Sequence, residues 1–369
     1  MLIGICGTIC SGKHTTAEYL VQHHGFLRLH LPAITKSPRK LSITDGRFLP
    51  SVTDEKGTRG LTFPDVDSLL EFVTKRWQEH WVLTDIEDED TLELLLRRPF
   101  FLLISVDAPV TLRFKRFNTR CSKRELPPLS LESFIDADDR LLYGSSPSQS
   151  ITTTKGTAPL HSRAHLQLLN SHPSIQSYFQ FLTTLDLPSE SRLRPPWDTY
   201  FMHLAHLASL RSNCMKRRVG CVLIHNNRII STGYNGTPRG ITNCNAGGCP
   251  RCNSGSSGGA ALSTCLCLHA EENALLEAGR ERIRDGAVLY CDTCPCLTCS
   301  VKIAQVGVRE VVYSQTYNMD ESSRRVLAEA GVKLRQYSPP GKGLLGPHTH
   351  EAVMADVNGE NQLVVRNGT

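Results

Sequence analysis

Short apolar runs that end in a glycine or an acidic residue recur through the first half of the chain. Leu2 to Cys6 is one such run, and Trp81 to Asp85 and Phe100 to Asp107 are two others. Uninterrupted runs of this length are typical of parallel strands that are buried on both faces. Helical spacing follows the first of them, so the pattern predicts an α/β domain with a parallel sheet over residues 1–190.

The second half has a different order of apolar positions. A helical stripe begins at Trp197 and is followed by an alternating pattern that predicts a hairpin on either side of Asn226. Helices and strands then alternate as far as Tyr337. This order predicts an α/β/α layered domain with a five-stranded mixed sheet over residues 191–340, and the polar segment 341–369 predicts a flexible tail. The Pro-rich stretch between about 185 and 197 is the expected boundary.

A glycine-rich loop follows the first predicted strand. It matches the pattern G-x-x-x-x-G-K, in which backbone amides surround phosphate and the lysine reaches the outer oxygens. Its candidate phosphate-binding residues are Gly7, Gly12, Lys13 and Thr15. His14 stands where the motif usually carries the Ser or Thr that binds Mg²⁺. This half resembles the nucleotide- and dephospho-coenzyme-A-kinase branch of P-loop proteins, and we expect a scaffold without kinase activity; a working kinase is the alternative.

Two half-motifs in the second half predict a zinc site. His269-Ala270-Glu271 and Pro295-Cys296-x-x-Cys299 match H-x-E and P-C-x-x-C, the signature of zinc nucleobase deaminases. His269, Cys296 and Cys299 are the expected ligands, with water in the fourth position. Zinc lowers the pKa of that water from about 15.7 to about 7 and gives a hydroxide nucleophile, and Glu271 is the expected proton shuttle. The alternative is a chance His-x-Glu beside a structural Cys-x-x-Cys.

Composition limits the remaining functional classes. The 369 residues suffice for about two domains, and 40% hydrophobic and 21% charged residues describe a globular protein. No apolar run reaches the roughly 18 residues of a membrane span. A formal charge of +5 and 7% aromatic residues do not predict a stable nucleic-acid partner.

The cysteines are unevenly distributed. Of the 14, only Cys6, Cys10 and Cys121 lie in the first half, and the others lie between Cys214 and Cys299. The apolar N-terminus is short, lacks a basic start and is interpreted as a strand rather than a signal peptide. Clustered cysteines without an export signal favour metal binding in a reducing compartment, so we expect a cytoplasmic protein, with the nucleus as an alternative, and not a secreted one.

Four blocks of the second half are similar to deoxycytidylate (dCMP) deaminases, and the likeness covers roughly residues 197–339. The blocks are Arg211 to Cys221, Gly233 to Pro238, His269 to Ala274 and Pro295 to Cys299. The resemblance implies hydrolysis of dCMP to dUMP and ammonia for thymidylate synthesis. It also implies a hexamer that dCTP activates and that dTTP inhibits together with Mg²⁺. A deaminase of another cytosine-containing substrate (nucleoside, tRNA or single-stranded nucleic acid) and a nucleotide-sensing regulatory protein are the alternatives.

The same resemblance implies further site residues. Asn235 and Asn273 would lie near sugar or phosphate, Tyr317 would face the substrate, and Lys216 would meet phosphates unless it belongs to a solvated basic turn. The loop implied to contact nucleotides, including the effector, comprises Gly233, Tyr234, Asn235, Gly236, Thr237 and Pro238.

A second zinc site is expected in a glycine-rich loop of the same half. The cysteines outside the catalytic set include a further Cys-x-x-Cys, and a closed structural zinc there would replace a missing core. In related deaminases such a site matches Cys214, Cys244 and Cys267, with Cys249 or Cys252 as the fourth ligand. Unliganded thiols are the alternative. Cys221 and Cys291 are expected to be buried apolar residues, since both fall within predicted strands.

Overall fold

The computed structural model describes residues 1–32, 60–144, 156–255, 262–316, 321–340 and 343–346. The chain divides into two compact units, and the second of them is Pro195–Pro340. The first unit combines Met1–Arg194 with the C-terminal segment that follows Pro340. Within the described residues, no helix has both the length and the apolarity that crossing a bilayer requires.

The first unit contains a seven-stranded sheet in which every neighbouring pair of described strands is parallel, as predicted. The spatial order is β12-β6-β5-β1-β4-β2-β3. Its strands are β1 (Leu2–Gly7), β2 (Leu27–His30), β3 (Gly60–Thr62), β4 (Trp81–Leu83), β5 (Phe101–Asp107), β6 (Leu166–Leu169) and β12 (Leu344–Leu345). Its helices are α1 (Lys13–His24), α2 (Val66–Lys75), α3 (Glu89–Leu96), α4 (Val110–Lys123), α5 (Leu131–Tyr143), α6 (Ala158–Ser162) and α7 (Ile175–Leu185).

Strand β1 is buried on both faces of this sheet. Ile3 and Ile5 belong to one buried apolar cluster, whereas Leu2 and Cys6 belong to another. A strand covered on both sides has no polar face, which explains its continuous apolar sequence.

The C-terminal segment differs from the predicted flexible tail. Leu344 and Leu345 form β12, which pairs in parallel with β6, and Leu345 is buried in an apolar cluster of the first unit. Pairing with a distant strand supplies the backbone hydrogen bonds that so short a segment cannot make alone. Most of the remaining tail lies outside the described residues.

The second unit contains the predicted five-stranded mixed sheet, in the order β11-β10-β9-β7-β8. Strand β7 is antiparallel to both its neighbours, and β10 is parallel to both of its own. The strands are β7 (Gly220–His225), β8 (Arg228–Tyr234), β9 (Val288–Thr293), β10 (Glu310–Gln315) and β11 (Lys333–Gln336). The helices are α8 (Trp197–Ser209), α9 (Pro250–Asn253), α10 (Ala270–Ala278), α11 (Leu297–Val306) and α12 (Glu321–Glu329).

Helix α10 lies against the sheet at very short range because β8 carries a glycine at the contact. A Cβ atom on Gly233 would lie 2.0 Å from the carbonyl oxygen of Ala270 and 2.6 Å from the backbone nitrogen of Ala274. Glycine is therefore required by space, although its backbone is not in a left-handed conformation. This contact fixes the position of the helix that follows His269.

Candidate functional site

Three predicted ligand side chains converge at the starts of two helices. His269 directly precedes α10 and Cys296 directly precedes α11, as the sequence predicted. The Nδ1 atom of His269 lies 3.3 Å from the Sγ atom of Cys296 and 3.3 Å from that of Cys299. Tetrahedral zinc with its usual bond lengths separates nitrogen and sulfur ligands by about 3.6 Å. The three residues therefore fit a zinc ion.

The hydrogen bond between the two thiols of this group has opposite effects on them: it raises the pKa of Cys299 and lowers that of Cys296. Hydrogen bonding with Cys299, and further hydrogen bonds with His269 and Thr298, lower the pKa of Cys296 to about 3. Cys296 is therefore a thiolate at neutral pH, which is the form that coordinates metals. Hydrogen bonding to Cys296 in turn raises the pKa of His269. Bound Zn²⁺ would replace the proton that these three groups share.

Glu271 lies beside the group but is not one of its members. It occupies the first turn of α10, and only 4% of its surface is exposed. Burial raises the pKa of its carboxyl group to about 7. A carboxyl group with this pKa can both accept and return a proton near neutral pH.

Glu272 is a positioning residue that the sequence analysis missed. Its Oε2 atom accepts a hydrogen bond from the backbone N–H of His269 at 2.9 Å, and its carboxylate pairs with Lys302 of α11. One side chain therefore links the start of α10 to the middle of α11. The sequence signal was available, because a Glu three residues after a helix cap follows the capping-box spacing.

The predicted nucleotide loop, residues 233–238, lies next to α10, and its first two residues are the end of β8. Gly236 and Leu268 exchange backbone hydrogen bonds of 3.2 and 2.9 Å, which places the loop beside His269. The side chain of Asn273 donates to the carbonyl of Tyr234 at 2.9 Å. The buried hydroxyl of Thr237 has no hydrogen-bond partner in the described part of the chain.

The side chain of Asn235 is engaged within the protein. Its Oδ1 atom accepts from the N–H of Val219 and from the hydroxyl of Ser212, and its Nδ2 atom donates to the carbonyl of Arg217 at 2.7 Å. These bonds hold two loops together and leave little of the amide for a ligand. Lys216 is exposed, and Tyr317 lies outside the described residues.

Six cysteines of the second unit form a thiol cluster, which contains the five candidate ligands predicted from the sequence and also Cys265. Four sulfur atoms lie within 4.8 Å of one another in each of two groups: Cys214, Cys244, Cys252 and Cys267, and Cys249, Cys252, Cys265 and Cys267. In the first group, Cys252 is the fourth member beside Cys214, Cys244 and Cys267, the three ligands that the family resemblance implied. Cys249 belongs only to the second group. Cys221 and Cys291 are buried in β7 and β9 and belong to neither.

The glycine loop of the first unit borders a cavity of about 520 Å³. Gly7, Gly12, Lys13 and Thr15 all line it, together with Arg116 and Arg120 of α4 and other residues. Gly12 has a φ of 113°, which requires glycine. The Nζ atom of Lys13 lies 3.4 Å from the carbonyl oxygen of Thr84. Among the residues that the structure describes, no carboxylate forms an ion pair with Lys13, Arg116 or Arg120.

Comparison of the sequence with known proteins identifies deoxycytidylate deaminases as relatives and a family model of their zinc-binding region as a match. Residues 195–315 match the family model described as the cytidine and deoxycytidylate deaminase zinc-binding region. The chain is 49% identical to deoxycytidylate deaminase of Schizosaccharomyces pombe over 340 residues, which cover 92% of this chain and 98% of the relative. Identity to the Saccharomyces cerevisiae deoxycytidylate deaminase is also 49%, over 353 residues covering 92% and 97% of the two chains. A dCMP deaminase from the cyanophage S-TIM5, solved with dCMP and dUMP, is 34% identical over 39% of this chain and 98% of its own, with a TM-score of 0.33. The two relatives at 49% identity show that the chain belongs to the deoxycytidylate deaminase family.

Proposed function

We propose that this protein hydrolyses dCMP to dUMP and ammonia and so supplies dUMP for thymidylate synthesis. The observation that carries the proposal is the buried carboxyl group of Glu271 beside the group formed by His269, Cys296 and Cys299. Family membership extends over both units of the chain, so it does not rest on the zinc-binding region alone. Hydrolysis of a cytosine amine requires an activated water and a group that moves protons, and this site offers residues for both tasks.

The mechanism follows from the roles of these residues. His269, Cys296 and Cys299 would hold Zn²⁺, which when bound lowers the pKa of a coordinated water from about 15.7 to about 7. Glu271 takes one proton from the water whose oxygen adds to C4 of cytosine, and its Oε atom delivers that proton to N3. Glu271 then transfers the remaining proton to the departing amine, so that ammonia leaves and the carbonyl of dUMP forms. Burial of the carboxyl group keeps its proton affinity suited to both transfers.

The proposal includes regulation by dCTP as activator and by dTTP with Mg²⁺ as inhibitor, in a hexamer located in the cytoplasm or the nucleus. Support for a nucleotide contact comes from the loop of residues 233–238, where the buried hydroxyl of Thr237 lacks a partner within the described residues. Lys216 is exposed, directly precedes Arg217, which binds Asn235, and would contact phosphate. Asn273 would hold the loop through its hydrogen bond to Tyr234. All 14 cysteines are free, which fits a reducing compartment.

A substrate panel tests the proposed reaction. Ammonia release is measured with dCMP, CMP, cytidine and a cytosine-containing oligonucleotide, each with and without dCTP or with dTTP and Mg²⁺. We expect dCMP to be turned over at least about tenfold more efficiently than the others, because a missing phosphate or an added hydroxyl costs roughly 1.4 kcal/mol or more of transition-state binding. Preference for the oligonucleotide or for cytidine would indicate the alternative deaminases, and release from none of them would indicate a regulatory protein.

We also propose a structural zinc in the cysteine cluster, with Cys214, Cys244, Cys252 and Cys267 as ligands. Cys244, Cys252 and Cys267 are buried and Cys214 is half-buried, and their sulfur atoms lie within 4.8 Å of one another. Four thiolates around one ion form the usual closed structural site.

We further propose that the first unit is a P-loop domain of the nucleotide-kinase type that binds phosphate without catalysing its transfer. The support is a strand, a glycine loop and a helix beside a cavity lined by three cationic side chains, Lys13, Arg116 and Arg120, none of which forms an ion pair within the described residues. His14 replaces the Ser or Thr that would bind Mg²⁺ with a triphosphate, so we expect no phosphoryl transfer.

Replacement of Lys13 by alanine is expected to weaken nucleoside triphosphate binding to this unit about 10- to 100-fold. One charged hydrogen bond to phosphate contributes roughly 1.5–3 kcal/mol. Isothermal titration of the full chain with a non-hydrolysable ATP analogue measures the effect, and Lys75→Ala, which removes an exposed lysine of α2, is the control. Equal affinities of the Lys13 variant and the wild type would contradict the assignment.

A further inference from the structure

The two sulfur groups in the cysteine cluster share two members. Cys252 and Cys267 belong to both, whereas Cys214 and Cys244 belong only to the first and Cys249 and Cys265 only to the second. The two groups of four sulfur atoms therefore have one pair in common, Cys252 and Cys267. This arrangement determines how many ions the cluster can hold.

The measured sulfur separations fit this geometry. The Sγ atom of Cys252 lies 3.9 Å from that of Cys214 on one side and 3.7 Å from that of Cys265 on the other. The Sγ atoms of the common pair, Cys252 and Cys267, are 3.9 Å apart, and those of Cys249 and Cys265 are also 3.9 Å apart. Ligands of one tetrahedral zinc at about 2.3 Å stand about 3.8 Å apart. Each of the four separations therefore suits a pair of ligands on the same ion.

We propose that the cluster is a binuclear zinc–thiolate site in which Cys252 and Cys267 bridge the two ions. Two tetrahedral ions need eight ligand positions, and six cysteines supply them only when two sulfurs are shared. Cys214 and Cys244 complete the first ion, and Cys249 and Cys265 complete the second. The inference extends the single structural zinc proposed above and is independent of the deaminase activity.

The surroundings of the cluster suit its charge. Six thiolates and two Zn²⁺ ions carry a total charge of about −2, which donors from the protein must stabilise. The N–H of Met215 lies 3.4 Å from the sulfur of Cys244, and that of Leu266 lies 3.4 Å from the sulfur of Cys249. Arg251 approaches the sulfur of Cys265 at 3.8 Å. Each ion therefore has at least one terminal thiolate with a neighbouring donor.

The local fold has little else to hold it together. The buried cluster in this region consists of cysteines, and the described elements around it are short, such as Cys244–Ala246 and α9. Metal binding can supply the folding free energy that an apolar core of this size cannot. Cys267 lies two residues before His269, so the binuclear site would also order the chain that leads into α10.

Counting zinc in the intact protein tests the inference. Native mass spectrometry and elemental analysis of the wild type should give about three zinc ions per chain, two in the cluster and one at His269. Exchange with cadmium-113 should give two thiolate-bound resonances coupled to each other through the bridging sulfurs. Two zinc ions per chain, uncoupled resonances or the absorption of an iron–sulfur cluster would each overturn the proposal. None of these measurements depends on a variant that might not fold.

Single substitutions assign the ligands. Cys265→Ser should lower the zinc content and remove the coupling, whereas a single site on the first group would leave Cys265→Ser with the metal content of the wild type. Cys121→Ser, at a buried thiol of the first unit outside all three metal groups, is the matched control and should keep the wild-type zinc content. If the wild-type protein holds three zinc ions per chain but does not deaminate dCMP, the proposed function is refuted and the binuclear site is retained.

Discussion

Substitution of Glu271 by glutamine is expected to leave zinc bound and to lower kcat for dCMP by about 10³-fold or more. General acid–base catalysis by one side chain contributes roughly 10²–10⁴-fold, and here the same carboxyl group acts in both proton transfers. Glutamine keeps the volume of the buried side chain but cannot carry a proton. Because Glu271 is outside the ligand group, the zinc content of the variant should equal that of the wild type.

Steady-state kinetics and elemental analysis of the same preparation measure both parts of this prediction. Glu277→Gln is the matched control, since it makes the same chemical change on an exposed position of the same helix. Its kcat should stay within a factor of about two. Wild-type turnover by the Glu271 variant would refute the assigned mechanism, and loss of zinc would show that Glu271 belongs to the metal site.

Replacement of Cys299 by alanine is expected to release the catalytic zinc and to abolish deamination. Cys299 is fully buried and supplies one of three protein ligands, so its loss leaves an incomplete site. Without the metal the pKa of water returns from about 7 to about 15.7, and the available hydroxide falls by about eight orders of magnitude. Activity should therefore fall below detection.

The zinc content of this variant should drop by about one ion per chain, while its circular dichroism spectrum stays close to that of the wild type. Cys294→Ala is the control: this thiol is also buried and lies two residues before Cys296, but it belongs to none of the metal groups in the described residues. A Cys299 variant that keeps its zinc, or a control that loses it, would contradict the ligand assignment.

The grouping of His269, Cys296 and Cys299 could be predicted from the sequence because each of its two half-motifs is a short local pattern. His269 and Cys296 each precede a helical pattern, and both side chains are placed by the first turn of their own helix. The prediction that Cys221 and Cys291 are buried succeeded for the same reason, since strand periodicity determines burial.

Features that depend on contacts between distant segments could not be predicted in this way. Whether Cys249 or Cys252 joins Cys214 in one ligand group depends on the path of the loop between them. The contact between Cys214 and Cys252 spans 38 residues and cannot be predicted from the spacing of cysteines in the sequence. The role of Asn235 depends on its hydrogen bonds to Ser212, Arg217 and Val219, which lie 16 to 23 residues earlier in the sequence. Strand β12 is too short to show periodicity, and only its pairing with β6 makes it a strand.

The position of β12 gives the chain a discontinuous topology. The backbone leaves the seven-stranded sheet after α7, completes the whole deaminase unit and then returns to add an edge strand to the sheet it left. The deaminase unit is thus inserted in the sequence of the first unit, which continues on both sides of it. A protease that cuts near residue 194 would leave the deaminase unit covalently joined only to the segment that contains β12. A protein shortened at residue 340 would lose an edge strand of the unit that lies at the opposite end of its sequence.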